Sequence, residues 1–218
     1  ENYGKKFYGP STLRVGLEKS RNLMTVRISQ KLGIDKVVNF SKQLGVYDNP
    51  SELLSISLGS AETTLLKLTS AYCAFVNGGK LVKPVLIDRI QDSQGNTIIN
   101  NQQRQCLNCN EISFTSNEYP EIENNFKEVF STQTAYQVTS LLEGVILRGT
   151  GKKLKKLNLN LAGKTGTTNE NTDAWFIGYT SNFVVGVYVG MDNPSPLGKF
   201  ETGSKTALPI FKSFIKKS

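Results

Sequence analysis

Apolar residues recur at intervals of three and four along much of the chain, and this spacing predicts amphipathic helices. The predicted helices fall within residues 12–45, 63–76, 131–149 and 208–216. Gly33 separates two short helices in the first of these ranges, and Asp35 is a candidate N-cap for the second. Asn77-Gly78-Gly79 breaks the next helix, and Ser131 is a candidate N-cap for the one that follows.

Alternating and β-branched residues in two other regions predict strands. Residues 84–99 predict a β-hairpin, in which Val85-Leu86-Ile87 and Thr97-Ile98-Ile99 flank a turn at 92–96. Further strands are predicted over residues 160–165, 174–180 and 183–191. The last two are joined by a short bend and should pair antiparallel. Helices followed by antiparallel strands predict an α+β fold with helices packed on a sheet.

The stretch from 100 to 127 is polar and has few periodic apolar positions, which predicts a surface insertion. It contains Cys106 and Cys109 as an isolated C-x-x-C. A disulfide or free thiols are favoured here over half of a zinc site, because the chain offers no second pair of ligands. The third cysteine, Cys73, lies in an apolar stretch and is predicted to be a small core residue.

Composition narrows the chemistry open to the chain. Of its 218 residues, 38% are hydrophobic, which is enough for a buried core. Histidine is absent, which excludes a Ser-His-Asp or Cys-His mechanism and any histidine metal site within this chain. Lys and Arg outnumber Asp and Glu by 26 to 18, and the net charge of +8 permits an acidic partner without identifying one.

The sequence shows no membrane-spanning run and no signal peptide near its first residue. No apolar run approaches the roughly 18–20 residues that span a bilayer. The chain begins with Glu1 rather than Met, and nothing near it resembles a signal peptide. We therefore expect either a processed N-terminus or a piece of a longer protein.

Lys164-Thr165-Gly166-Thr167 is the first segment that suggests a reactive site. A lysine on a strand provides a cation, and Thr165 and Thr167 place hydroxyls on one face at a spacing of two. Gly166 leaves room for a ligand to approach the backbone. Together these groups suit a carboxylate, whereas the alternative is an exposed edge strand with an ordinary lysine.

Ser20-Arg21-Asn22 is the second such segment and lies between two predicted helices. The Ser20 hydroxyl can relay a proton, and the Asn22 amide can hold both a carbonyl and a neighbouring lysine. The structural alternative is that Ser20 only caps the helix that starts near Leu23. An S-x-N followed much later by K-T-G is the pairing found in active-site serine enzymes that bind penicillin.

Further segments accompany these two motifs in a fixed order. They are Asn2-Tyr3, Phe7-Tyr8-Gly9-Pro10, Thr12-Leu13-Arg14, Lys19-Ser20-Arg21-Asn22, Ser57-Leu58-Gly59-Ser60, Ser70-Ala71-Tyr72, Asn77-Gly78-Gly79, Gly149-Thr150-Gly151, 162–168, Asp173-Ala174-Trp175-Phe176, Gly178-Tyr179 and Pro209-Ile210-Phe211. On these residues the chain resembles the transpeptidase domain of the class A, bifunctional penicillin-binding proteins of the type 1A kind. The resemblance covers nearly all of the chain except 100–127.

This resemblance implies a fold and an activity. The fold is that of the penicillin-binding and serine β-lactamase-like transpeptidases, an antiparallel sheet flanked by helices, here as a partial domain over 1–218 that lacks its N-terminal part. The implied activity is peptidoglycan D,D-transpeptidation: a serine attacks a stem peptide ending in D-Ala-D-Ala, and the acyl-enzyme passes to a neighbouring amine. The implied partners are these stem peptides, β-lactam antibiotics and the missing N-terminal part, with no cofactor, metal or nucleic acid. The implied location is the periplasm, anchored to the inner membrane through that missing region.

The resemblance also assigns roles to individual residues. Ser20 would relay a proton toward the leaving amine, and Asn22 would hold the substrate amide. Lys164 would tune this relay and attract the terminal carboxylate. Thr165 and Thr167 would bind that carboxylate, and the backbone N–H of Thr167 would form half of an oxyanion hole.

The nucleophile of this family belongs to an S-x-x-K motif upstream of S-x-N, and no such motif precedes Ser20 here. Ser11-Thr12-Leu13-Arg14 ends in Arg, so the fragment alone is expected to be inactive. One S-x-x-K does occur, at Ser213-Phe214-Ile215-Lys216, but it lies in the closing helix, where the family places no chemistry. We expect it to be a chance match.

Two other functions remain as alternatives. One is a related hydrolase, a β-lactamase or D,D-carboxypeptidase, in which water replaces the amine; the long class A flanks argue against it. The other is a non-catalytic module that only binds wall fragments or partners. The lysine-rich run 152–156 is expected to be a solvated loop rather than a contact for anionic polymer or lipid headgroups.

Overall fold

The computed structural model describes residues 7–101, 104–109, 119–124 and 126–217, with only the backbone of 104, 105 and 124. The segment Asn2-Tyr3 lies outside the described residues. Within them, no helix is both long enough and apolar enough to cross a membrane.

Six α-helices occur in the described ranges. They are α1 (Leu13–Glu18), α2 (Asn22–Leu32), α3 (Ile34–Gln43), α4 (Leu65–Val76), α5 (Thr132–Leu147) and α6 (Ala207–Ile215). Hydroxyl N-caps open three of them, because the side chains of Thr12, Thr64 and Ser131 accept the backbone N–H three residues later. The predicted cap at Ser131 is confirmed. Short 3-10 turns cover Leu54–Leu58, Lys152–Leu157 and Asn169–Asn171.

The predicted N-cap at Asp35 is wrong. Gly33 is both the C-cap of α2 and the N-cap of α3, and it has a positive φ of 98° that favours glycine. Asp35 lies instead in the first turn of α3, where its carboxylate faces the positive end of the helix dipole.

Within the described residues, the main sheet has three antiparallel strands in the order β5-β6-β7. They are β5 (Ala162–Thr167), β6 (Ala174–Tyr179) and β7 (Val184–Val189). Lys164 pairs with Ile177 and Thr167 with Ala174, and the predicted antiparallel pair of the last two strands is confirmed. Strand β5, which carries K-T-G, lies at the edge of this sheet, so alternate backbone groups face away from β6.

The predicted hairpin of 84–99 exists, but its first strand is shifted. Strand β1 (Arg89–Gln91) pairs with β2 (Thr97–Asn100), whereas Val85-Leu86-Ile87 lies upstream of the ladder and is exposed. The turn sets this register. Asp92 Oδ1 accepts from the backbone N–H groups of Gln94 (2.9 Å) and Asn96 (2.8 Å), so pairing starts immediately before Asp92.

Helices α4 and α5 pack on one face of the main sheet, and α6 packs on the other. On one face, Ala162 and Tyr179 pack with Leu142 and Val145 of α5, and residues of α4 lie beside them. On the other face, α6 packs its Phe211 ring 4.8 Å from Phe176. Successive side chains of a strand point to opposite faces, so the Lys164 side chain lies on the α4–α5 face.

The lysine-rich run forms the 3-10 turn Lys152–Leu157 rather than an irregular loop. Leu154 is buried in the cluster beneath α6, and the four lysines are exposed. Their exposure agrees with the expectation of a solvated segment.

The polar stretch around 100–127 contains a small separate hairpin. Strand β3 (Arg104–Cys106) pairs with β4 (Ile122–Asn124), and Cys106 and Cys109 form a disulfide. The disulfide alternative is therefore confirmed. Cys73 is half-buried in α4 as a free thiol, and burial raises the pKa of this thiol.

Reduction of the Cys106–Cys109 bond is expected to shift the main melting transition by less than about 2 °C. The bond links residues only three apart, and β3 pairs with β4 rather than with the main sheet, so its loss should open this hairpin locally. Calorimetry with and without reductant measures this shift, and Leu142→Ala in the buried core serves as a destabilising reference. A drop of 5 °C or more would show that the hairpin is part of the cooperative core.

Candidate active site

Ser20 lies in a tight turn at the end of α1. The Ser20 N–H donates to Leu17 O (3.1 Å) and the Arg21 N–H to Gly16 O (2.9 Å), which is the hydrogen-bond pattern of a Schellman motif. In this motif the residue at the Ser20 position is left-handed and is usually glycine, and Ser20 has a φ of 52°. Ser20 is not the N-cap of α2, because Arg21 occupies that position without a side-chain cap.

A buried carboxylate anchors this turn to the end of α5. Glu18 is 3% exposed and forms an ion pair with the Arg148 guanidinium. The Thr150 N–H donates to Glu18 O (3.1 Å), and the Lys19 ammonium donates to Arg148 O. A Cβ on Gly149 would approach Glu18 O to 2.2 Å, so only glycine permits this contact. The Ser20 turn is therefore held against the segment that leads to β5.

Lys164 connects this turn to the edge strand. Its Nζ donates to Ser20 Oγ at 2.7 Å and to Thr165 O at 2.8 Å. The side chain is half-buried, and burial lowers the pKa of Lys164 from 10.5 to about 8. Ser20 and Lys164 therefore face each other, although 144 positions separate them in sequence. Asn22 opens α2 two residues after Ser20 and is half-buried.

The two threonines of K-T-G-T have different surroundings. Thr165 is 9% exposed, and its hydroxyl lies 2.7 Å from the hydroxyl of Thr150. Thr167 is exposed, and its hydroxyl accepts from the Gly203 N–H at 3.1 Å. A Cβ on Gly203 would approach the carbonyl oxygen of Gly166 to 2.4 Å, so this glycine lets the 202–206 turn pack closely on β5.

Sequence reasoning did not assign a role to Glu18, Arg148, Thr150 or Gly203. Gly149-Thr150-Gly151 was available as a signal, because it belongs to the ordered segments that carry the resemblance. Gly203 had no comparable signal, because its close approach to β5 depends on the folded structure.

The arrangement suits recognition of an anion and relay of a proton. It combines an ammonium group, the Ser20 hydroxyl bonded to it, two threonine hydroxyls and the free edge of a strand. Helix α6, which carries Ser213 and Lys216, packs on the face of the sheet opposite the Lys164 side chain. Among the described residues, no group of three or more potential ligands drawn from Cys, Asp and Glu could hold a metal ion.

Comparison with known proteins identifies the family. Residues 1–216 match the penicillin binding protein transpeptidase domain. The chain belongs to this transpeptidase family. Penicillin-binding protein 1A from Rickettsia bellii is 46% identical over 219 residues, which cover 99% of this chain and 27% of that protein. Its counterpart in Pseudomonas aeruginosa is 33% identical, over 99% of this chain and 30% of that protein.

A solved structure supports the same fold. The crystal structure of penicillin-binding protein 1A from Haemophilus influenzae superposes with a TM-score of 0.85 and 32% identity, over 100% of this chain and 35% of that chain. The penicillin-binding transpeptidase fold expected from the sequence is confirmed. The chain spans between a quarter and a third of the curated relatives described above.

Proposed function

We propose that these 218 residues are part of a longer peptidoglycan D,D-transpeptidase that cross-links stem peptides through a serine acyl-enzyme. One observation carries this proposal: the Lys164 ammonium donates to Ser20 Oγ, which joins the K-T-G and S-x-N motifs in a chain of the transpeptidase family. The substrates would be stem peptides ending in D-Ala-D-Ala, and β-lactams would act as covalent inhibitors. The protein would work in the periplasm, anchored to the inner membrane by a region outside this sequence.

Ser20 and Lys164 would form the proton relay. A hydroxyl that accepts from an ammonium keeps its own hydrogen free to donate, so Ser20 can pass a proton to the leaving amine. The lysine of the S-x-x-K motif, which would take the proton of the attacking serine, would return one to Ser20. The Lys164 ammonium would stabilise negative charge that develops on Ser20 as it donates. Asn22, at the first position of α2, would hold the substrate amide.

Strand β5 would bind the carboxylate end of the substrate. Thr165 and Thr167 would donate hydroxyl hydrogen bonds to it, and the nearby Lys164 ammonium would attract it. Gly166 would allow the peptide to lie close to the strand. The backbone N–H of Thr167 would supply one of the two oxyanion-hole donors.

The attacking serine would come from an S-x-x-K motif outside these 218 residues. The chain alone would then bind substrate groups without forming an acyl-enzyme. Ser213 is not proposed for this role, because it lies in the closing helix α6, where the family resemblance places no chemistry. We also propose that the segment near 100–127 is a surface insertion in a partial transpeptidase domain covering 1–218.

Labelling with fluorescent penicillin tests this function. The full-length protein should form one covalent adduct that survives denaturation, and peptide mapping should place it on a serine outside the 218 residues. Penicillin that has been hydrolysed beforehand is the control and should give no adduct. The 218-residue chain alone should remain unlabelled.

Three results would contradict the proposal. An adduct on Ser213 would place the nucleophile in α6. Rapid turnover of a chromogenic cephalosporin without cross-linking of stem peptides would identify a hydrolase instead. Absence of any adduct on the full-length protein would leave a non-catalytic binding module.

A further inference from the structure

Thr150 contacts the K-T-G motif and the end of α1 that leads into the Ser20 turn, although it belongs to neither motif. It follows α5 by three residues and is half-buried. Its side-chain hydroxyl lies 2.7 Å from the Thr165 hydroxyl. Its backbone N–H donates to Glu18 O, two residues before Ser20.

The hydroxyl pair restricts where the Thr165 hydrogen can point. A hydroxyl has one hydrogen to donate and can accept two hydrogen bonds. If Thr165 donated to Thr150, it would present only lone pairs to an incoming carboxylate and would repel it. If Thr150 donates to Thr165, the Thr165 hydrogen is available for the carboxylate.

The position of Thr150 is fixed by its neighbours, so this bond does not depend on a mobile side chain alone. A Cβ on Gly149 would clash with Glu18 O, and a Cβ on Gly151 would approach Ile146 Cδ1 to 2.8 Å. Arg148, which forms the ion pair with Glu18, lies two residues before Thr150. The segment that carries Thr150 is therefore closely packed, and it also contacts the turn that carries Ser20.

We propose that Thr150 is a positioning residue that directs the Thr165 hydroxyl toward the ligand carboxylate and so sets the preference for ligands with a free carboxylate. This inference rests on the proposed function, in which Thr165 binds that group. Thr150 acts through Thr165 and need not touch the substrate.

The test compares two probes in the full-length protein: benzylpenicillin, which has a free carboxylate, and its methyl ester, which lacks the charge. Thr150→Val keeps the shape of the side chain and removes the hydroxyl. We expect it to lower the second-order rate constant of acylation by benzylpenicillin about 10-fold, since hydrogen bonds to charged groups are the stronger ones. The rate with the ester should change less than about 2-fold.

Matched variants separate this role from a structural one. Thr150→Ser keeps the hydroxyl and should restore the acid-to-ester rate ratio. Thr150→Ala also lacks the hydroxyl, and it is smaller than Val and cannot overpack the site. It should therefore show the same selective loss with benzylpenicillin even if Thr150→Val impairs folding. Thr134→Val removes a similar hydroxyl pair, Ser131–Thr134 at 3.0 Å, from the other end of α5, about 20 Å away, and should leave both rates unchanged.

The outcomes distinguish this inference from the proposed function. An equal fall for both probes would show that Thr150 is only structural, and no change with benzylpenicillin would show that it has no role in recognition; either result overturns the inference. Absence of acylation of the unsubstituted protein would overturn the proposed function, and this inference with it.

Discussion

Replacement of Lys164 by Met in the full-length protein is expected to lower the rate of β-lactam acylation by about 10²–10³-fold. Met has a similar length and no charge, so it removes both the donor to Ser20 and the cation beside the carboxylate site. Stopped-flow measurement of acylation by a fluorescent penicillin gives the rate. Lys155→Met removes an exposed lysine from the 152–157 turn and serves as the matched control, with no expected change.

The pH dependence follows from the pKa of about 8 at Lys164. The proposed relay needs the ammonium form, so acylation should be fastest below pH 8 and should fall about tenfold per pH unit well above it. Lys164→Met should abolish this decline. An acylation rate that stays constant from pH 7 to pH 10 in the unsubstituted protein would contradict the proposed role of the ammonium.

The lowered pKa of Lys164 also affects stability, which should rise with pH where the acylation rate falls. Because the pKa of Lys164 is lower in the folded state than the ordinary 10.5, the unfolded state binds more protons between about pH 8 and 10.5. The free energy of unfolding therefore rises with pH across that window, and the penalty is complete below it. Lys164→Met should raise stability at pH 7 by about 1 kcal/mol, less than the full shift would give, because the side chain is only half-buried. Urea unfolding at pH 7 and pH 10 measures both values.

Local sequence signals predicted most of the helices and the main sheet. The cap at Ser131, the break at Asn77-Gly78-Gly79 and the β-branched runs at 174–180 and 183–191 each depend on a few adjacent residues. The two chemical motifs were predictable because the resemblance identifies them in order. The two motifs come into contact because the fold places the Ser20 turn beside strand β5, which carries Lys164.

Two predictions were wrong, the N-cap at Asp35 and the position of the first hairpin strand. In each case a local interaction that the prediction did not consider set the boundary of the element. Asp35 has a good N-cap side chain, but Gly33 already supplies the positive φ that ends α2 and begins α3. Val85-Leu86-Ile87 has the most β-prone composition of its region, yet Asp92 closes the turn and sets the register. Composition favours a strand without fixing which residues pair.

The interactions that hold the site together were not predictable from the sequence, because they join residues that are distant along the chain. Glu18 and Arg148 are charged residues at helix ends, where charges are common and usually solvated. Their pairing is visible only once the Ser20 turn packs against the end of α5. Gly203 likewise has no sequence signal, because its function is to let one backbone approach another.

Ser20→Gly is expected to stabilise the protein while it removes activity. Glycine adopts the left-handed conformation of Ser20 without the steric cost of a Cβ, about 1 kcal/mol, so the melting temperature should rise by about 2–4 °C. Loss of the hydroxyl removes the proposed relay, so acylation and cross-linking should fall by about 10²–10⁴-fold. Calorimetry and penicillin labelling of the full-length protein measure the two effects.

Two further variants make this result specific. Ser20→Ala also lacks the hydroxyl but keeps the Cβ, so it should be as inactive as the glycine variant without its gain in stability. Asn158→Gly relieves a left-handed residue with a φ of 53° at the end of the 152–157 turn, and it should gain some stability with activity unchanged. A fully active Ser20→Gly protein would exclude Ser20 from the relay. A Ser20→Gly protein that is less stable would contradict the expected relief of the left-handed conformation and would mean that the Ser20 hydroxyl helps to hold the turn together.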